Sequence, residues 1–403
     1  SSGETDTLTR AGTTFTYAQR GVNLRGVFWG AALLMAADRP VFGFGLGTYE
    51  YYVQRYQGKL MAALGPMSRL QPNELDTVTA HNDFLQLASE LGCAGVAVVV
   101  WGLFVLWRCV RQRLSREMDP DSRCVLLASL AGLLGVAVFA GTNFPFHIVT
   151  HALVCMFLLA VVSGAGDAES AVYRRWRAPD SAVLRSALSL CVIAVGAAFL
   201  SFVMQPYVAD YHVAYAYAIE SAEPGAEAAL ERLKQAVRIE PRNGRIRAQL
   251  GRAYLARGMI DEAKVEFVRA LKDYDSAWVH MDFGSACEAQ GDLDGAAQHF
   301  SDAVFRAPRY RAAHERLVWA LIEAGRYEEA RERCHEAFRW VGVVPELLNV
   351  RAVVADREGD REGCVALLRR SLEMKPDQSE IRALLERVET EMQKEMTESR
   401  SEP

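Results

Sequence analysis

The chain has 403 residues, room for two or three structural units, with a net charge of −5 and 51% apolar residues. No basic stripe or nucleic-acid-binding motif is present, which excludes nucleic acid as a partner. The eight cysteines are scattered without a CxxC pair, so neither a zinc site nor a disulfide framework is indicated, and most read as small apolar helix residues.

The sequence opens with SSGETDTLTR, without an initiating Met or a signal-peptide core, and reads as a piece of something longer. The apolar run Gly26–Ala37 is too short to span a bilayer and is expected to form a helix at a membrane interface. After it comes RPVFGFGLGTY, with Gly43, Gly45 and Gly47. No strand precedes this GxGxG and no βαβ unit surrounds it, so a tight turn between two interfacial helices is expected in place of a nucleotide site. Tyr49, Tyr51, Tyr52 and Tyr56 follow, suited either to stacking on sugar rings or to an aromatic belt at lipid headgroups.

Next is AHNDFLQLASELGCAGV, a polar segment leading into about twenty apolar residues. Asp83 is placed to cap a helix starting near Phe84, and Asn82 and Asp83 read as capping residues. His81 then lies just off the positive end of that helix, which favours the neutral imidazole and suits it to general-base work near pH 7.

Four stretches pass the length test for membrane spans: Leu91–Trp107, Val125–Ala140, Ile148–Gly164 and Ser186–Met204. Arginines crowd the first loop (Arg108, Arg111, Arg113, Arg116, Arg123) and the third (Arg174, Arg175, Arg177, Arg185), whereas Gly141–His147 has none. By the positive-inside rule both Arg-rich loops are cytoplasmic. Residues 1–90, the 141–147 turn and everything after Met204 are then extracytoplasmic.

Beyond residue 206 the chain repeats. Gly258, Gly291, Gly325 and Gly359 recur at intervals of 33, 34 and 34 residues. Small residues follow five positions later (Ala263, Ala296, Ala330, Cys364), then Phe267, Phe300, Cys334 and Leu368, then Ala270, Ala303, Ala337 and Ser371. Pro241, Pro308 and Pro376 close their units. This is the period and pattern of a tetratricopeptide repeat, and it predicts about five helix pairs over 207–376, with Pro206–Ser221 as the first helix and a polar capping helix to about Lys394. Such stacks present an extended face for a protein partner. The expected fold is therefore all-α: an extracytoplasmic region over 1–90, a partial transmembrane helical bundle over 91–204, an α-solenoid over 206–376 and a capping helix and tail over 377–403.

The combination of Arg25 four residues before Trp29, RPVFGFGLGTY, and AHNDFLQLASELGCAGV before a membrane helix resembles the O-antigen ligase and polymerase family, in particular its branch with C-terminal tetratricopeptide repeats. The resemblance covers roughly residues 20–165. It implies a metal-independent, cofactor-free glycosyltransferase at the outer face of the bacterial cytoplasmic membrane. The implied donor is a glycan on undecaprenyl pyrophosphate; the acceptor is another glycan, lipid A core or a protein. In that family a loop histidine and one or more arginines are essential, and His81 and Arg25 match them. A guanidinium suits the pyrophosphate leaving group, with Arg25 first for that role and Arg69 and Arg55 behind it. Tyr49 and His147 are further substrate-binding candidates, whereas His151 reads as a helix residue.

Two features depart from the family pattern. Asn143 stands in TNFPFH where the family often has Asp, which removes a carboxylate that orients another group. The family also carries further membrane helices before this region, so the chain is expected to be a C-terminal portion without turnover by itself. The competing readings are a membrane-anchored repeat scaffold for envelope polysaccharide assembly, in which His81 and Arg25 are dispensable, and a transporter fragment, which the near absence of charge within the spans disfavours.

Overall fold

The computed structural model describes residues 25–65, 79–115, 117–141, 143, 149–163 and 182–401. Among these residues every regular element is helical. The chain divides into two compact units: residues 1–56, 77–215 and 238–240 in one, and residues 57–76, 216–237 and 241–403 in the other.

In the first unit α1 covers residues 25–38, and α2, Tyr49–Leu64, begins there with residues 49–56. Val27, Phe28, Ala31, Ala32 and Met35 form a buried stripe at helical spacing along α1. Ala31, Ala32 and Met35 pack with Tyr49, Val53, Tyr56 and Ala80 in one small core. Leu33 and Leu34 are exposed on α1.

Helix α3, Asp83–Leu114, is broken at Gly92, whose φ of 62° and ψ of −162° are not helical. A break exposes backbone groups on both sides, and the loop after α1 satisfies them. The amides of Phe44 and Gly45 donate to the Ser89 and Glu90 carbonyls at 3.2 and 2.7 Å. The Cys93 and Ala94 amides donate to the Pro40 and Val41 carbonyls at 2.8 and 3.0 Å. Backbone meets backbone here. A Cβ on Gly43 would lie 2.3 Å from the Glu90 carbonyl carbon, and one on Gly92 would lie 2.5 Å from the Val41 carbonyl carbon. The GxGxG run is thus a docking loop that threads a helix break, which is more than the tight turn expected from sequence.

Helices α4, Pro120–Ala140, and α5, Val149–Ser163, follow. The α3 and α4 helices are long and apolar enough to cross a membrane by length and composition; α5 contains a shorter apolar stretch, His151–Val162. Arg113 near the end of α3 donates to the Val161 carbonyl at 2.5 Å, placing a cation at the C-terminal end of α5. Helix α6, Ala182–Ala222, runs through Pro206, so the expected fourth span and the expected first repeat helix are one continuous element.

The second unit contains the C-terminal part of α6 and then α7 (Glu227–Ile239), α8 (Gly244–Ala256), α9 (Ile260–Ala270), α10 (Ala277–Ala289), α11 (Leu293–Arg306), α12 (Arg311–Glu323), α13 (Tyr327–Val341), α14 (Pro345–Glu358), α15 (Arg361–Met374) and α16 (Ser379–Ser401). Among the described residues α8 packs with α9, α10 with α11, α12 with α13 and α14 with α15, and α16 packs on α15. Gly258, Gly291, Gly325 and Gly359 all have φ between 73° and 83°, with open space where a side chain would stand. They serve conformation alone. Gly225, 33 residues before Gly258, does the same at φ 83°, and the repeat spacing could have found it. The small residues act through packing: Ala263, Ala296, Ala330 and Cys364 are fully buried. A Cβ on Gly251 or Gly284 would meet the rings of Phe267 or Phe300 at 2.7 and 2.6 Å. In the next unit Cys334 occupies the aromatic position and Val318 the glycine position, which conserves volume between the paired helices.

Candidate functional site

The first unit assembles its polar centre from α1, the docking loop and the start of α3. Glu90 is 3% exposed. Its Oε2 accepts the Gly47 amide at 2.8 Å, and its Oε1 accepts the Tyr49 amide at 3.1 Å and the Gln86 Nε2 at 3.1 Å. Gln86 in turn accepts the Ala80 amide at 3.0 Å. The two sequence blocks that carry the family resemblance therefore form one object: the second block's carboxylate anchors the first block's glycine loop.

His81 sits on this platform. Among the described residues it is the only non-glycine with positive φ, at 51°. Its ring stacks on Phe28 of α1, with centroids 5.7 Å apart and planes inclined by 21°. Burial, and then the Arg25 guanidinium, hold the imidazole below its ordinary pKa. The structure thus brings Arg25 and His81 into one electrostatic neighbourhood. The neutral ring expected from sequence is favoured, by burial and by Arg25.

Several sequence expectations are corrected. The helix cap is Asn82, extended at φ −161°, whose Oδ1 accepts the Leu85 amide at 3.0 Å; Asp83 is already helical and is buried. The Asn82 Nδ2 also donates to the Gly141 carbonyl at 2.8 Å, which ties the histidine segment to the start of the 141–147 turn. Tyr49 is fully buried, and its hydroxyl donates to the Phe28 carbonyl at 3.1 Å. Burial drives its pKa up. It is a core residue with no surface to offer a sugar. Tyr56 is buried too, and its hydroxyl donates to Asp38. Arg55 is exposed on α2, and His151 is exposed on α5. Arg69 and His147 lie outside the described residues. Sequence reading missed Glu90 as the organising group, although the acidic residue before Leu91–Gly92 stood in the quoted motif.

The second unit has a groove of about 350 Å³ lined by Tyr217, Arg245, Gln249, Arg252, Trp278 and Asp282. These residues come from α6 and from the first helices of the next two pairs. Arg252 Nε donates to Asp282 at 2.8 Å. Trp278 is 43% exposed and packs beside Tyr310, with centroids 4.9 Å apart. Exposed aromatic surface beside guanidinium groups suits a polypeptide ligand.

Residues 226–280 and 288–354 match the tetratricopeptide repeat family. The C-terminal region is built of tetratricopeptide repeats. Solved structures similar to this chain include YrrB, a tetratricopeptide repeat protein with an unusual peptide-binding site (18% identity, 41% of this chain and 86% of that one, TM-score 0.37). A second is a tetratricopeptide repeat protein from Parabacteroides merdae (18% identity, 49% of this chain and 81% of that one, TM-score 0.41). A third is pilF of Pseudomonas aeruginosa (18% identity, 49% and 93%, TM-score 0.38). No curated protein matches the chain in sequence. Tetratricopeptide repeats mediate protein–protein contacts, which supports a protein partner for this region.

Proposed function

We propose that this chain belongs to a membrane glycan transferase of the O-antigen ligase and polymerase type, with His81 as general base, Arg25 as the cation for a lipid pyrophosphate, and the repeats as a docking domain for a protein partner. The observation that carries the reading is the strained backbone of His81 beside Arg25. A left-handed non-glycine residue costs free energy, and such outliers concentrate at functional sites. Here the outlier falls on the residue that the sequence had singled out as the general base.

The chemistry follows from these groups. An acceptor hydroxyl attacks the anomeric carbon of the donor as its proton passes to the neutral His81 ring. The bond from that carbon to the pyrophosphate oxygen breaks, and Arg25 stabilises the released phosphate charge. Stacking on Phe28 fixes the ring plane, and the Asn82 cap fixes the helix entry. The apolar surfaces of α3 and α4, including exposed Trp101, Leu103, Phe104 and Leu134, support a setting in lipid where a polyprenyl donor resides. The proposed topology places His81 and the repeats on the extracytoplasmic side.

The test uses cells that lack their own copy of the gene, complemented with wild type, His81→Asn or Arg25→Ala at matched membrane abundance. Loss of surface polymer with accumulation of lipid-linked glycan supports the transferase. Normal polymer from both variants refutes it. That outcome favours a second reading, a non-enzymatic membrane scaffold whose working surface is the Arg245–Arg252–Trp278 groove.

A further inference from the structure

Helices α10 and α11 bring together His280, His299 and Asp302, residues to which neither the repeat pattern nor the proposed chemistry assigns a role. His299 and Asp302 are three apart on α11 and share a face; His280 reaches them from α10. One ligand atom from each lies within 4.8 Å of the other two. The Nδ1 atoms of His280 and His299 are 3.1 Å apart. Zn–N bonds of about 2.0–2.1 Å in a tetrahedral site place two ligand nitrogens about 3.3 Å from each other, so the pair is close to the spacing a shared ion requires.

The far side of His280 is built as a metal-ligating imidazole usually is. Its Nε2 lies 3.1 Å from Asp275 Oδ1, and Arg306 Nε donates to the same oxygen at 2.6 Å. Asp275 is buried between Arg306 and His280 and accepts from both as a carboxylate. That contact engages His280 Nε2 and leaves Nδ1 as the nitrogen that faces the cluster. The His299 ring is stacked on Phe283, centroids 3.9 Å apart. Without an ion, the two Nδ1 atoms stand at hydrogen-bonding distance. With one, both would present their Nδ1 lone pairs to it. Arg306 Nη1 binds Oδ1 of Asp302 at 3.0 Å, while Oδ2 stands 3.9 Å from His280 Nδ1. Asp302 is partly exposed.

We propose that His280, His299 and Asp302 form a three-ligand site for a divalent transition cation of the zinc class, with a fourth position open to water and Asp275 as the outer carboxylate that orients His280. Two imidazoles and one carboxylate select zinc, cobalt or nickel over magnesium or calcium, which prefer all-oxygen shells. The ion would clamp α10 to α11 within one helix pair. The site is independent of the transferase reading.

The test is a titration of the full chain, untagged and chelator-stripped, with Co²⁺ followed by Zn²⁺ competition. Wild type is expected to bind one Co²⁺ per chain with tetrahedral ligand-field absorption that Zn²⁺ abolishes. His299→Gln and Asp302→Asn are each expected to weaken binding at least ~10-fold, and Asp275→Asn about 10–100-fold through the outer shell. Metal-free melting of Asp302→Asn, at a partly exposed residue, should match wild type, which separates lost ligation from lost folding. Failure of wild type to bind one ion overturns the proposal. So does unchanged binding in both His299→Gln and Asp302→Asn, because the ion then belongs to other groups.

Discussion

The Glu90 carboxylate accepts the Gly47 amide at 2.8 Å across 43 residues of sequence. The same side chain holds the Tyr49 amide, while the Glu90 carbonyl takes the Gly45 amide. One acidic residue thus closes the glycine loop over the helix break at Gly92. Non-helical backbone packed against other backbone needs its polar groups satisfied internally, and Glu90 with residues 40–45 satisfies them.

Removing this anchor should loosen the platform under His81. Glu90→Ala leaves the buried Tyr49 amide and the part-buried Gly47 amide without their acceptor and is expected to cost about 1–3 kcal/mol. Gly92→Ala should be comparably damaging, because its Cβ would collide with the Val41 carbonyl at a positive φ. Thermal melting in detergent and protease cleavage within 40–48 measure both. Wild-type resistance in Glu90→Ala would show that the loop is held by other contacts.

His81→Asn separates backbone from chemistry. Asn tolerates the left-handed region, so membrane abundance should equal that of wild type, whereas a β-branched His81→Val should reduce it. If the ring is the base, His81→Asn loses polymer-forming activity by about 10²–10⁴-fold. Activity within a few-fold of wild type would remove His81 from the mechanism.

The proton affinity of His81 gives a pH prediction. Burial and Arg25 both disfavour the imidazolium, so the ring stays neutral below its ordinary titration range. The acid limb of activity should therefore lie below about pH 6.5. Arg25→Gln removes a positive neighbour, and the His81 titration followed by NMR should move upward. A downward move would contradict the arrangement.

Glycines in the repeats divide into two classes by what surrounds them. Gly284→Ala drives a methyl group into the Phe300 ring and should cost about 1–3 kcal/mol by overpacking. Gly291→Ala meets open space and violates only its φ of 79°, an expected cost of about 1–2 kcal/mol. Asn should rescue position 291 but not 284. Melting temperatures of the four variants test the distinction; equal rescue at both sites would refute it.

The helix pairs were legible in the sequence because each repeat writes its own local requirement. A glycine recurs where the chain must turn left-handed, and alanines recur where two helix backbones approach. Gly258 to Gly359 and Ala263 to Ala337 could be read by counting alone. Apolar run length likewise marked α3 and α4 as candidate spans. The fused α6 escaped because Pro206 looks like a helix stop in isolation, while the structure carries the helix through it.

Spacing along the chain determined the repeats and the apolar helices. Tertiary structure alone decided that Glu90 binds the glycine loop, that Asn82 and not Asp83 supplies the α3 cap, that Tyr49 is buried core, and that His280 faces His299. The physical reason is the range of the interactions. Turn preferences and helix-face packing act over a few residues and leave a period in the sequence. A buried carboxylate or a pair of facing imidazoles is chosen by groups that only the folded backbone brings within 3 Å, and such contacts have no period to read.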